Sequence, residues 1–179
     1  MDITLTPLRE ATLDELMLAA EPEEVWRLMP WPIGRERKAM VAYIEAALRD
    51  EDAGTALPFA IRVDGRLVGS TRFSGIERAH EKAEIGYTWL HPSMWRTGVN
   101  RRVKRMMLDR AFGEMGLNRI YFYIDQRNDR SQKAVEGIGA VHEGVLREDR
   151  LLHDGYRRST VVYSLLANEW PEKRASLRV

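Results

Sequence analysis

Apolar residues along this chain change their spacing several times, and each change marks an element. Thr4-Leu5-Thr6-Pro7-Leu8-Arg9 alternates polar and apolar and predicts a short strand. From Thr12 to Met29 the apolar residues Leu13, Leu16, Met17, Ala20, Val25, Leu28 and Met29 recur at helical spacing. Pro22 interrupts them and suits the first turn of a second short helix. Pro30-Trp31-Pro32-Ile33-Gly34 predicts a rigid loop. Arg35 to Arg49 is helical again, with Met40, Tyr43, Ile44, Ala47 and Leu48 as its stripe.

Strand signals then take over. Phe59 to Val63, the turn pair Asp64-Gly65 and Leu67 to Phe73 predict a hairpin. Glu84 to Leu90 predicts a third strand, ended by His91-Pro92. Val99 to Met115 predicts a helix closed by Gly116. Arg119 to Ile124 alternates, with Ile120, Phe122 and Ile124 on one face and Tyr121 and Tyr123 on the other. Asn128 to Ile138 predicts a helix stopped by Gly139. Val141 to Leu152 and Tyr156 to Leu166 predict a hairpin around His153-Asp154-Gly155, and Glu169-Trp170-Pro171 begins a tail. The order is a mixed sheet with helices on its faces, an α+β or α/β fold. Its central β–α–β–α run is where strand ends and helix N-termini converge on a ligand.

Composition narrows the chemistry. The 179 residues suit a single domain, 1–179, that buries a core without staples. There is no cysteine, which excludes disulfides, thiolate metal sites and a cysteine nucleophile. His80, His91, His142 and His153 show no metal-ligand spacing, so no metal is expected. No run approaches the roughly 18 apolar residues of a membrane span, and Met1 to Arg9 has no signal-peptide core, so the expected location is the cytoplasm. The formal charge of +1 gives no reason to expect nucleic acid.

That small net charge hides a local cluster. Arg96, Arg101, Arg102, Lys104 and Arg105 crowd the predicted start of the Val99 helix. A helix N-terminus prefers acidic neighbours. Either these cations form a solvated face, or they await an anion that Gly98 lets the backbone approach. Arg101, Arg102, Arg105 and Asp109 share one arc, and Val99, Val103, Met106 and Met107 the opposite, core-facing one.

At these residues the chain resembles the GCN5-related N-acetyltransferases, in the RimJ/RimL-like branch that acetylates ribosomal-protein N-termini. Trp95-Arg96-Thr97-Gly98-Val99-Asn100 is similar to the family's pyrophosphate loop, with Asn100 in place of a small residue. Glu84-Ile85-Gly86-Tyr87 with His91-Pro92, Asn128-Asp129-Arg130-Ser131 with Gly139-Ala140, Glu143-Gly144-Val145-Leu146-Arg147 and Glu169-Trp170-Pro171 extend the likeness from Leu5 to Pro171. The resemblance implies an α/β/α fold with a mixed, mostly antiparallel sheet of about seven strands. It implies a cleft where the fourth and fifth strands splay apart around acetyl-CoA. Pantetheine would pair with Trp89, Leu90 and His91, and pyrophosphate would sit on Arg96, Thr97, Gly98, Val99, Asn100 and Arg101.

Acyl transfer to an amine needs a neutral amine, donors for the oxyanion and a proton for the thiolate. Glu84 is a candidate base, sharing a face with Gly86, Thr88 and Leu90 if its strand is regular; it also suits a surface ion pair with Lys82 or an arginine. The resemblance places the oxyanion donor at a backbone N–H near Leu90 and a serine, Ser131, near the CoA sulfur. Ser131 also suits a plain bond within its helix's first turn. Asn128 is a helix cap that also suits a pantetheine contact. The tyrosine acid of many relatives is replaced by Val135, and a carboxylate assigned as base in some relatives is replaced by Arg150, beside Glu148 and Asp149. His91 suits a structural role or a proton relay. Trp26, Met29 and Trp31 suit either packing or the acceptor side of the cleft. The expected acceptor is a protein N-terminus, with a small amine as alternative. The remaining alternatives are a non-catalytic acyl-CoA-binding module and, least supported, a nucleic-acid binder. The expected assembly is a monomer or homodimer.

Overall fold

The computed structural model describes residues 1–29 and 36–177. The predicted Pro30–Gly34 loop, Trp31 and Arg35 lie outside the described residues. Seven strands form one sheet: β1 Ile3–Pro7, β2 Leu57–Val63, β3 Arg66–Glu77, β4 Lys82–Leu90, β5 Arg119–Asp125, β6 Val141–Leu151 and β7 Arg157–Leu166. Their order across the sheet is β1-β2-β3-β4-β5-β7-β6. All neighbours are antiparallel except β4 and β5. The helices are α1 Leu13–Ala20, α2 Arg37–Asp52, α3 Val99–Asp109, α4 Asp129–Glu136 and α5 Trp170–Ser176. No helix among the described residues is long and apolar enough to cross a membrane.

Each sheet face carries its own core. Ile120, Phe122 and Ile124 of β5 join Val99, Val103 and Met107 of α3, Val135 of α4 and Trp170 of α5. Burying each such side chain contributes roughly 1.5–3 kcal/mol. On the other face Leu16, Ala19, Met40, Tyr43 and Ala47 of α1 and α2 pack on Ala60, Leu67 and Trp89. Thr12 caps α1 reciprocally with Glu15, and Glu15 reaches Arg62 of β2 at 2.7 Å. These bonds hold the Glu15 carboxyl down at about 2.

The elements depart from expectation at their ends. β3 runs four residues beyond Phe73, and the Glu169-Trp170-Pro171 tail opens α5. Regular α-helix stops at Asp109, and Arg110–Glu114 widens into a π-turn before Gly116. Met106 is only partly buried, while Leu108 and Lys104 are buried. α3 therefore turns a broader face inward than its apolar stripe suggests.

Candidate active site

The site begins with a strand that loses one neighbour. β4 pairs with β3 along its length, from Lys82 to Leu90. With β5 it pairs only at Lys82–Arg119, Ala83–Ile120 and Glu84–Tyr121. Beyond Glu84 the two strands separate. β4 is also bulged: Ser70 faces Trp89 and Arg72 faces Gly86, so Tyr87 and Thr88 together oppose Thr71. Tyr87 adopts φ +54°, the left-handed region. The bulge corrects the expectation of one regular face. Ala83, Ile85 and Leu90 bury in the same core, and Trp89 in the other, so Glu84 and Leu90 no longer share a side.

The edge that β4 turns to the opening carries free backbone chemistry. The His91 N–H donates to Val68 of β3 at 2.7 Å. Successive residues of a strand point their amides to opposite edges, so the Leu90 amide points into the opening. The Leu90 carbonyl accepts the Trp95 indole N–H at 3.0 Å. His91 itself caps the next turn: its Nδ1 accepts the Ser93 N–H and meets the Ser93 hydroxyl at 2.7 Å. This is the structural role, and it ties down the loop.

Two helix starts meet at the mouth of the opening. Arg96 (φ +62°) and Gly98 (φ +89°) are both left-handed and bracket Thr97, whose hydroxyl donates to the Met94 carbonyl. Such alternation turns successive N–H groups toward a common concavity. Gly98 gives α3 no side-chain cap, only a long 3.5 Å bond joins the Val99 N–H to the Thr97 hydroxyl, and a Cβ on Gly98 would meet nothing within 4 Å. The Asn100 Oδ1 is buried without a partner. Across the mouth, Asn128 caps α4 by accepting the Ser131 N–H at 3.0 Å, and the Arg130 guanidinium lies 3.8 Å over the Trp95 ring. The Ser131 hydroxyl makes no hydrogen bond among the described residues.

The cation cluster is less compact than its sequence suggests. Arg102 donates to the Met1 carbonyl, Arg105 pairs with Asp109, and Lys104 turns inward to lie 5.1 Å from the Phe122 ring. Burial pulls the Lys104 ammonium down to about 8. Arg96 and Arg101 remain near the concavity, and Arg101 also reaches toward Gly137 of α4.

On the α1–α2 face of the opening lies Glu84. Its carboxylate rests over Gly86, where a Cβ would fall 2.5 Å from Oε1, and it accepts the Ser74 hydroxyl at 3.3 Å. Lys82 pairs with Glu77 instead. Burial raises the Glu84 pKa, while the charges of Arg150, Arg158 and Arg72 oppose that rise. Arg72 stacks 3.9 Å over Tyr87 and 4.9 Å from Tyr43. Sequence reasoning missed Arg72, Arg158 and Tyr87, because no spacing signal links residues on different strands.

The chain does not bring every candidate together. Tyr121, level with Glu84, is four residues or ~13 Å before the end of β5. Glu84 therefore sits at the closed end of the opening, and Asn128 and Ser131 lie past its mouth. Val135 is buried in the core and offers no acid. Trp26 is buried too, its indole donating to Ala20 at 2.8 Å and its ring 5.3 Å from Trp89, so it packs rather than lines the cleft. No group of three acidic or histidine side chains suited to a metal occurs among the described residues. A surface hollow between Ala56, Ile76, Arg78 and Arg110 lies at the opposite end of the sheet.

A sheet opened between two parallel strands, with two helix N-termini at the opening, is an arrangement suited to an extended anionic ligand along a strand edge. Residues 2–141 match the acetyltransferase (GNAT) domain family. The chain belongs to this family. It is 31% identical over 121 residues to the "Uncharacterized N-acetyltransferase YoaA" of Bacillus subtilis (strain 168), covering 68% of this chain and 67% of YoaA. It is 35% identical over 107 residues to the "Putative ribosomal N-acetyltransferase YdaF" of the same organism. That match spans 60% of this chain and only 57% of the length of YdaF. A solved acetyltransferase structure from T. thermophilus superposes with a TM-score of 0.86 at 35% identity, over 98% of this chain and 91% of that chain. Mycobacterium smegmatis RimJ, solved with CoA-disulfide, shares the fold at a TM-score of 0.79 and 24% identity, over 94% and 84% of the two chains.

Proposed function

We propose that this chain moves the acetyl group of acetyl-CoA directly onto a primary amine, with a protein N-terminal α-amine as preferred acceptor. The separation of β4 from β5 beyond Glu84–Tyr121 carries this reading, because it leaves one strand edge for an extended ligand. The surroundings suit acetyl-CoA: an α3 whose first turn Gly98 leaves without a side-chain cap, and open space over Gly98. Family membership and a RimJ structure holding CoA-disulfide support the same cofactor.

Bound acetyl-CoA supplies an acyl group activated as a thioester. The chain's own residues do the rest. Amides from Arg96 to Arg101 hold phosphate, with the guanidinium charges of Arg96 and Arg101 beside them. Trp89, Leu90 and His91 form the strand edge along which pantetheine lies. The Leu90 amide donates to the carbonyl oxygen as it gains charge. Glu84, at the closed end of the opening, takes the amine proton through a chain of waters rather than by direct contact, and its burial makes it a stronger base than an exposed carboxylate. An α-amine, with a pKa near 8, needs less help than lysine near 10.4. Ser131, its hydroxyl unengaged, gives a proton to the departing thiolate. With no cysteine in the chain, transfer proceeds without a cysteinyl acyl-enzyme.

The name of YdaF supports a ribosomal-protein N-terminus as acceptor. A small amine is the second reading, supported by the spermidine N(1)-acetyltransferase of Escherichia coli (strain K12), 23% identical over 101 residues. The absence of cysteine makes the test clean, since a thiol-reactive dye reports only released CoA. N-terminal peptides, polyamines and aminoglycosides are offered with acetyl-CoA. Release with an amine, abolished by Gly98→Glu, is the expected result. Tight acetyl-CoA binding without release for any amine leaves only an acyl-CoA-binding module.

A further inference from the structure

The wall around Glu84 holds three arginines that lack close acidic partners. Several arginines elsewhere in the molecule sit in close ion pairs: Arg62 with Glu15 at 2.7 Å, Arg119 with Glu143 at 2.5 Å, Arg174 with Asp109 at 2.7 Å. In the wall the nearest carboxylates stand off. Arg72 is 3.9 Å from Asp50, Arg158 is 3.9 Å from Asp125, and Arg150 is 3.7 Å from Asp149. Asp125 is already committed to Arg127 through two bonds to its guanidinium.

Two of these arginines are buried with donors unsatisfied. Arg72 is 2% exposed, and its Nε and Nη2 have no hydrogen-bond partner among the described residues. Arg158 is 4% exposed, its Nε has no partner, and its Nη2 makes only a 3.4 Å contact with the Tyr123 carbonyl. A buried donor left unmade is costly, so its persistence calls for an acceptor. Arg150 and Arg158 are also directly paired across β6 and β7, an arrangement that like charges disfavour. Val161, Tyr163 and Leu165 of β7 face the α3 core, so alternation puts Arg158 on the opposite face, the one that carries Glu84.

We propose that this wall reads a carboxylate on the amine substrate, with Arg150 in contact and Arg158 and Arg72 as buried positive charge behind it. The proposal rests on the acetyl-transfer reading and adds the acceptor's chemical class: an amine whose own molecule carries a nearby carboxylate. A polyamine brings only positive charge to three arginines and is the wrong class. A free acidic amino acid and an N-terminus followed by Asp or Glu both carry the required chemistry. Arg150 is the contact residue because its side chain is 40% exposed, while the other two are enclosed.

The test uses the full chain with acetyl-CoA and four acceptors: a Ser-Glu-initiated peptide, its Ser-Lys counterpart, free aspartate and spermidine. Peptide and free amino acid separate the two carboxylate sources. Wild type should favour an acidic acceptor over the Ser-Lys peptide by at least tenfold in kcat/KM, and Arg150→Glu should reverse that order. Arg150→Gln should bring the ratio near one. Binding gives a readout independent of turnover: the N-acetylated Ser-Glu peptide should bind the CoA-loaded wild type and not Arg150→Glu. Equal or better use of spermidine by wild type overturns the proposal, as does a ratio that Arg150→Glu leaves unchanged. Binding of the acidic peptide through Arg150 without turnover of any amine supports this proposal and counts against acetyl transfer. Turnover without any carboxylate preference overturns this proposal and leaves acetyl transfer standing.

Discussion

The two walls of the opening are made of different material. The proposed cofactor wall is mostly backbone: the freed edge of β4, the left-handed pair Arg96 and Gly98, and the N-terminus of α3, which Gly98 leaves without a side-chain cap. All of it comes from one continuous stretch, 84–101. The proposed acceptor wall is side chains gathered from four strands: Arg72 and Ser74 of β3, Glu84 and Tyr87 of β4, Arg150 of β6, Arg158 of β7. The difference teaches where each wall is fragile. Backbone recognition fails when its φ angles or N–H groups are blocked, and it tolerates side-chain change. A wall of side chains changes its specificity one charge at a time, while the fold beneath it stays.

Predictions that test this contrast differ in size. The largest effect on cofactor binding is expected at Gly98. Gly98→Glu puts a charge and a side chain at φ +89° beside the phosphate site. Acetyl-CoA affinity should fall by about 100-fold or more, since the lost amide and charge contacts are each worth ~1.5–3 kcal/mol. Titration calorimetry measures it. Gly98→Ala separates strain from blockade: its Cβ meets open space, so the cost is about 1 kcal/mol of stability with much of the binding kept.

Glu84→Gln should lower kcat by about 10²–10⁴ and leave acetyl-CoA affinity nearly unchanged. The same substitution should raise the melting temperature at neutral pH. The Glu84 pKa is raised by burial, so the folded chain holds that proton more tightly than the unfolded chain. Its stabilising contribution is full below the unfolded value and is lost as pH rises through the folded one. Glutamine does not titrate, so the stability gain should vanish in acid. By the same shift, kcat should rise with pH through a region above the usual carboxylate range.

The smaller effects fall on either side of the cofactor wall. Ser131→Ala should reduce kcat by about tenfold, or more with an acceptor whose thiolate step limits the rate. Equal rates would remove Ser131 from the chemistry. Lys104→Met should stabilise the chain. The Lys104 ammonium, held near 8 by burial, charges at a cost of up to about 3 kcal/mol. Between that value and about 10.5 the unfolded chain holds more protons, so wild-type stability rises with pH across this window. The melting-temperature advantage of Lys104→Met should therefore be greatest near pH 7 and close above pH 10.

The sequence revealed these two walls unequally, for a physical reason. Alternation in β5, the Asp64-Gly65 turn and the glycine ahead of α3 are local signals, and local signals carry the cofactor wall. The resemblance of 95–100 and 128–131 to a known family marks the same stretch. The bulge at Tyr87 has no local signature and reverses the face of every residue after it, which is why Glu84 and Leu90 part company. The inward turn of Lys104 was equally hidden, since a basic run reads as a solvated face. The acceptor wall is set by register across β3, β4, β7 and β6, and register is a property of the folded sheet.

Acetyl transfer to an amine stands or falls on thiol release. Purified chain, acetyl-CoA and an N-terminal serine peptide are mixed, and free CoA and acetylated peptide are followed together. Equal amounts of both should form with time and be lost in Gly98→Glu. Binding of acetyl-CoA with no acetylated product from any amine would contradict acetyl transfer.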